Sequence, residues 1–239
     1  MNQTLVDMGA AYPLLINHWP GSTDRLVVVF SGVGSDPAEY PQIEFFRTAT
    51  QGEQNHALFI RDMSRSWLNA PGLDTQIIEM VEKVAADHAI SEIAMIGNSM
   101  GGSMALLLAH QIKAKCVLAF VPQYSVCPDV VPEETRWKRY RKHITHFRFH
   151  EAVPEVSPDQ KIFVVHGGTE AELAHALRFP KTPAVRHFII PKYGHSLAAK
   201  LHNKKALGPL INAALADRPV KFRRLIERQG GVPLRRFQS

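Results

Sequence analysis

Serine 99 stands two residues from a glycine on either side, in the run Ile93-Ala-Met-Ile-Gly-Asn-Ser99-Met-Gly-Gly102. An apolar strand-like segment leads into Gly97 and a long apolar helix-like segment follows Gly101. G-x-S-x-G carries chemistry only in this strand–turn–helix setting, where it lifts a serine hydroxyl above the strand ends as a nucleophile. The turn is so sharp that the positions two before and two after the serine press on neighbouring backbone. Gly97 and Gly101 meet that demand, and Gly102 lets the helix pack close to the sheet. The helix N-terminus then favours negative charge developing beside Ser99.

A hydroxyl nucleophile needs a base that takes its proton and later returns it, and neutral imidazole suits both steps near pH 7. Of the twelve histidines, His195 alone follows the last apolar run in a glycine-containing loop, Pro191-Lys-Tyr-Gly-His195-Ser. A second glycine-bearing loop, Ser31-Gly32-Val33-Gly34-Ser35, invites a phosphate-loop reading. No Gly-Lys-Ser/Thr follows it and no G-x-G-x-x-G appears, so nucleotide binding there is excluded.

Positioning these residues requires elements to carry them. Apolar runs recur at Leu26–Phe30, Ala57–Ile60, Ile93–Ile96, Cys116–Val121, Ile162–Val165 and Val185–Ile190, bounded by turn formers. Several are rich in Val and Ile without alternation, as expected of parallel strands covered on both faces. Helical period separates them: Thr75–His88 puts Ile77, Ile78, Val81, Val84 and Ala85 on one stripe, Ser99–Gln111 is apolar almost throughout, and Glu170–Leu177 and Ser196–Lys205 are shorter. Alternation of this kind predicts an open α/β sheet with a mostly parallel centre and helices on both faces. Tyr12–His18 is expected to add an antiparallel edge strand. With 239 residues, 45% of them apolar and 21% charged, the chain is long enough to bury a full core without disulfide or metal.

In these residues the chain resembles the α/β-hydrolase superfamily, over about 25–205. The resemblance implies a serine–acid–histidine triad in that chain order, with Ser99 as nucleophile and His195 as base. It also implies an acid just past Ile162–Val165. Relatives commonly read His-Gly-x-x-Asp there, which puts Glu170 in the acid's place; Glu172 is the second choice and Asp129 the third. The implied oxyanion hole takes one backbone N–H from Met100 and one from the loop after Leu26–Phe30, with Val33 the first choice and Gly32 the second. The activity implied is hydrolysis of a carboxylic ester or thioester of a small acyl group through an acyl-enzyme. Acyl transfer or thioester cleavage on a carrier- or CoA-linked group, and a non-catalytic binding protein of the same fold, are the rival readings. No cofactor and no metal is implied.

Other residues carry weaker expectations. In Asp62-Met-Ser-Arg-Ser-Trp67, Trp67 is a candidate wall of the substrate site and Asp62 a candidate contact to a hydroxyl or to Arg65, with Gly32 also placed near substrate. The segment Arg136–His150 reads as a basic helix within 122–160, where similar hydrolases insert a lid. Its His143, His146 and His150 would share a face, but Arg139, Arg141, Lys142 and Arg148 crowd them and disfavour a metal ion. The net charge of +6 is concentrated: residues 217–239 hold seven of the 28 basic residues and two of the 22 acids. We therefore treat 1–216 as the hydrolase domain and 217–239 as a basic C-terminal tail, open to an acidic partner or a second subunit; Phe222, Leu225 and Ile226 form a small apolar stripe on it. A basic folded face for nucleic acid is not indicated. No apolar run spans a bilayer, no signal peptide is evident and Cys116 reads as a buried thiol, so the expected location is cytoplasmic.

Overall fold

The computed structural model describes residues 4–237. In chain order the elements are β1 (Val6–Asp7), β2 (Leu14–Trp19), β3 (Arg25–Phe30), α1 (Phe46–Ala49), β4 (His56–Asp62), α2 (Leu73–Asp87), β5 (Glu92–Asn98), α3 (Met100–Leu108) and β6 (Cys116–Phe120). There follow α4 (Lys138–Arg141), β7 (Lys161–Gly167), α5 (Glu170–Ala176), β8 (Val185–Ile190), α6 (Leu197–Asn203), α7 (Leu207–Leu215), α8 (Pro219–Arg228), β9 (Val232–Pro233) and α9 (Leu234–Phe237).

The strands form one sheet in the order β1-β2-β4-β3-β5-β6-β7-β8-β9. Pairing is parallel from β4 through β8 and antiparallel at β1/β2, β2/β4 and β8/β9. Alternate residues of each central strand enter different cores. Val28 and Phe30 pack with α2 and α3 on one face, while Val27 and Val29 pack with α6, α7 and α8 on the other. Burial on both faces is why these strands are apolar without alternation. On α2, Leu73, Ile77, Val81 and Val84 are buried at spacings of four, four and three, the stripe that one helix face requires.

Chain direction across the sheet reverses at β3. β4 lies on one side of it and β5 on the other, so the loops after β3 and β5 open beside each other at the carboxyl ends of the strands. In open α/β sheets this switch point is where ligands bind.

Two expectations need correction, and the C-terminal stretch can now be placed. Tyr12–His18 contributes β2, but β2 is not the edge, because β1 lies outside it through Val6↔His18 and Asp7↔Asn17. Residues 217–237 dock on the body through the apolar stripe of Phe222, Leu225 and Ile226. Phe222 and Ile226 are completely buried, with Phe222 packed on Phe163 and Phe188, and β9 extends the sheet through Phe188↔Pro233 and Ile189↔Val232. Finally, of Arg136–His150 only Lys138–Arg141 is helical. The segment is instead pinned at separate points, by Arg148 on Asp74 at 2.7 Å and by the Phe149 N–H donating to Asn69 Oδ1 at 3.0 Å. His143, His146 and His150 therefore share no helical face.

Candidate active site

β5 runs directly into α3, and Ser99 is the hinge, with φ 55° and ψ −123°. Such a backbone costs a non-glycine residue of the order of 1–3 kcal/mol, and it persists only where surrounding structure forces it. Here the forcing is steric. A Cβ at Gly97 would lie 2.1 Å from the Gly101 carbonyl oxygen, and one at Gly101 would lie 2.1 Å from that of Phe30. The Ser99 N–H donates to the Phe120 carbonyl at 2.8 Å, tying the turn to β6.

His195 arrives on the loop after β8. Its Nε2 is 2.9 Å from Ser99 Oγ, and its Nδ1 is 3.0 Å from Glu172 Oε1. A carboxylate only accepts, so Nδ1 carries the proton and the Nε2 lone pair faces the serine hydroxyl. Burial alone would raise the Glu172 carboxyl. Bonds from His195 and Arg136 and the nearby His166 and His195 outweigh it, holding the group down at about 2.

The carboxylate beside His195 is thus that of Glu172, not Glu170. α5 begins at Glu170, and two helical residues turn the side chain about 200° around the axis. Glu170 is exposed on the outer face, whereas Glu172 is buried against the sheet. Asp129, the third choice, is exposed on the stretch after β6.

Two groups missed in the sequence complete the surroundings. Gln123, three residues past β6, donates from Nε2 to Ser99 Oγ at 3.2 Å and accepts the Trp67 indole N–H on Oε1 at 2.8 Å. Its amide orientation is thereby fixed, and Trp67, buried, reaches the serine through it. From the 122–160 segment, Arg136 bridges Glu172 and Glu134 and accompanies Trp137, whose ring lies 4.9 Å from that of His195. Glu134 also accepts from His175 Nε2 at 2.8 Å; burial opposes its charge, yet His175 and Arg136 hold it at about 2. For Gln123 the available signal is its place, a polar side chain just beyond the carboxyl end of a parallel strand. Arg136 and Trp137 carry no such signal, since they come from a segment of irregular path.

The loop after β3 is organised by two charged side chains. Arg65 donates to the carbonyls of Val33, Asp36, Pro37, Glu39 and Met63 at 2.6–3.2 Å. Glu44 accepts the Gly32 N–H on Oε2 and the Asn98 side-chain amide on Oε1, each at 2.9 Å. Burial raises the Glu44 carboxyl above its ordinary value, against those bonds and His195. The Gly32 N–H is therefore engaged by a protein carboxylate rather than offered to substrate, which corrects its expected role. Val33 donates no backbone hydrogen bond to any described residue. Met100, first in α3, has an N–H without an intrahelical acceptor, as helix starts do. Asp62 is also corrected. It is buried, accepting from the Ser64 hydroxyl at 2.6 Å and the Ser64 N–H at 2.8 Å, so it closes the turn after β4 instead of facing a ligand.

No family model and no curated protein matches the chain. Solved structures do. An α/β-hydrolase enzyme, MGS-M1, from a Medee basin deep-sea metagenome library is 16% identical with a TM-score of 0.53, covering 82% of this chain and 84% of that one. A hormone-sensitive lipase from a metagenome library is 12% identical with a TM-score of 0.60, over 95% and 85% of the two chains. The capsule O-acetyltransferase of Neisseria meningitidis serogroup A is 12% identical with a TM-score of 0.58, over 86% and 95%. The fold is that of the α/β hydrolases.

Proposed function

We propose that the chain is a serine hydrolase that cleaves a carboxylic ester or thioester of a small acyl group through an acyl-enzyme. The observation that carries this reading is the continuous line Ser99 Oγ–His195 Nε2, His195 Nδ1–Glu172 Oε1, at 2.9 and 3.0 Å. Ser99 attacks the acyl carbonyl while His195 takes its proton. Glu172, ionised throughout, holds the tautomer and stabilises the imidazolium. The Met100 and Val33 N–H groups receive the oxyanion, where removing one such donor costs about 10²–10³ in rate. His195 then hands its proton to the leaving group, and water, activated by the same imidazole, releases the acid. Gln123 orients the serine hydroxyl as a donor toward His195 by occupying its lone pair. Ser99 is only 3% exposed, with Trp67 linked to it through Gln123 and the Trp137 ring 4.9 Å from that of His195, which favours a small acyl group.

The test is hydrolysis of a short-chain aryl ester, with fluorophosphonate labelling of the intact protein. The wild type should turn over and take the label on Ser99. Ser99→Ala should fold, lose the label and lose turnover by several orders of magnitude. Near-normal hydrolysis by folded Ser99→Ala would remove this assignment.

A further inference from the structure

At the opposite end of the sheet from Ser99, three imidazoles from three elements converge. His18 lies near the end of β2, His56 opens β4, and His88 follows the last residue of α2. His18 and His56 are buried and His88 is exposed. The rings are 5.3 Å (His18–His56), 4.9 Å (His18–His88) and 4.5 Å (His56–His88) apart by centroid. One nitrogen from each lies within 4.8 Å of the others, and His18 Nε2 is 3.2 Å from His56 Nδ1.

We propose that His18, His56 and His88 form a binding site for a divalent transition-metal ion, zinc being the best fit. Zinc–imidazole bonds of about 2.0–2.1 Å in a tetrahedron place the ligand nitrogens roughly 3.3–3.4 Å apart. The His18–His56 separation already matches that edge, and a small ring movement of exposed His88 completes the triangle. The donor set selects the metal class. Three neutral imidazoles suit zinc, copper or nickel, and exclude calcium and magnesium, which take oxygen ligands.

The cluster also differs from His195, His175 and His166, each of which has a partner that is not a histidine. His195 and His175 each bond a carboxylate, and His166 bonds a backbone carbonyl. The one side-chain hydrogen bond within the His18–His56–His88 group joins two of its own members. Two buried ligands and an exposed third give an ion a way in from solvent, with the fourth position left to water or to Asp87, which adjoins His88 and holds Lys83 at 2.7 Å. A bound ion would clip β2 and β4 to the end of α2. It takes no part in the chemistry at Ser99, so this proposal and the hydrolase reading stand or fall separately.

The experiment uses tag-free full-length protein, stripped with chelator, dialysed, and titrated with cobalt(II) chloride and then zinc chloride. One cobalt per chain should bind with the visible d–d bands of a four-coordinate site, zinc should displace it, and zinc should raise the melting temperature. His88→Gln, a change at an exposed helix end, should weaken binding at least tenfold and abolish the zinc-dependent rise. His146→Gln, in the other histidine-rich stretch, should leave both unchanged. His18→Gln should abolish binding in a folded chain; should it not fold, the His88 result decides. A wild type that takes up no metal, a His88→Gln protein that binds as tightly as wild type, or loss of binding in His146→Gln overturns the site.

Discussion

His195 and His166 are the same side chain brought to the same end of the sheet by β8 and β7, and they are set up for opposite tasks. His195 has a carboxylate on one nitrogen, a hydroxyl on the other, and a side chain partly open to solvent. His166 is fully buried. Its Nε2 meets the Pro122 carbonyl and its Nδ1 meets His187 Nε2, each at 2.8 Å. A carbonyl only accepts, so His166 is protonated on Nε2 and takes a hydrogen bond on Nδ1; His187 must then donate from Nε2. The second imidazole is left with a buried Nδ1 that has no hydrogen-bond partner among the described residues. Burial lowers His166 to about 4 and His187 well below 6.5. One ring bridges a hydroxyl and a carboxylate, while the other pair is packing material held neutral. The neighbour decides which.

The comparison breaks most sharply in turnover. His195→Ala should lower kcat on a short-chain ester by about 10⁶-fold, the scale seen when one member of a catalytic unit is removed, whereas folded His166→Gln should keep kcat within a few-fold. A collapse of kcat in both, with intact far-UV circular dichroism, would merge the two classes. Next comes the carboxylate. Glu172→Gln should cost about 10⁴-fold, because the amide cannot hold the tautomer, while exposed Glu170→Gln should stay within about twofold. Equal losses in the two variants would mean that Glu172 does not act through His195.

The smallest effect is on stability, and its sign follows from the depressed pKa. Unfolded, His166 titrates near 6.5; folded, near 4. Between those values the unfolded chain binds more protons. Stability is therefore full above pH 6.5 and falls as the pH drops towards 4, by roughly 3 kcal/mol for this one group. Glu172 and Glu134, held at about 2, extend the loss in the same direction below pH 4.5. Melting temperatures measured from pH 7 to 4 should show the decline, and His166→Gln should flatten it.

Where local sequence carries its own geometric demand, it was readable. Gly97 and Gly101 leave one way to build the turn at Ser99, and several Val- and Ile-rich runs without alternation pointed to strands covered on both faces. The acid was not readable, because a carboxylate's role on α5 depends on which face of the helix meets His195, and Arg136 arrives from a distant segment to hold it there. Glu170 and Glu172 are equivalent until that face is known. The loop after β3 posed the same difficulty. Gly32 matched by spacing, but its N–H is taken by Glu44, twelve residues on, through a contact no local pattern announces. Arg136–His150 failed for another reason: the path of the segment is set by long-range anchors at Arg148 and Phe149, which no local pattern announces.

The sheet's two margins are each finished by a strand of only two residues, Val6–Asp7 on one side and Val232–Pro233 on the other. An unpaired strand edge is a template for another molecule's backbone, and short, proline- or charge-bearing outer strands are how soluble sheets avoid that fate. Asp7 and Pro233 supply both devices. Until residues 219–237 fold back, however, β8 presents a bare edge of Val, Phe and Ile, and the apolar inner side of α8 is uncovered with it. The stretch that carries most of the net charge is thus also the one that closes the β8 side of the sheet.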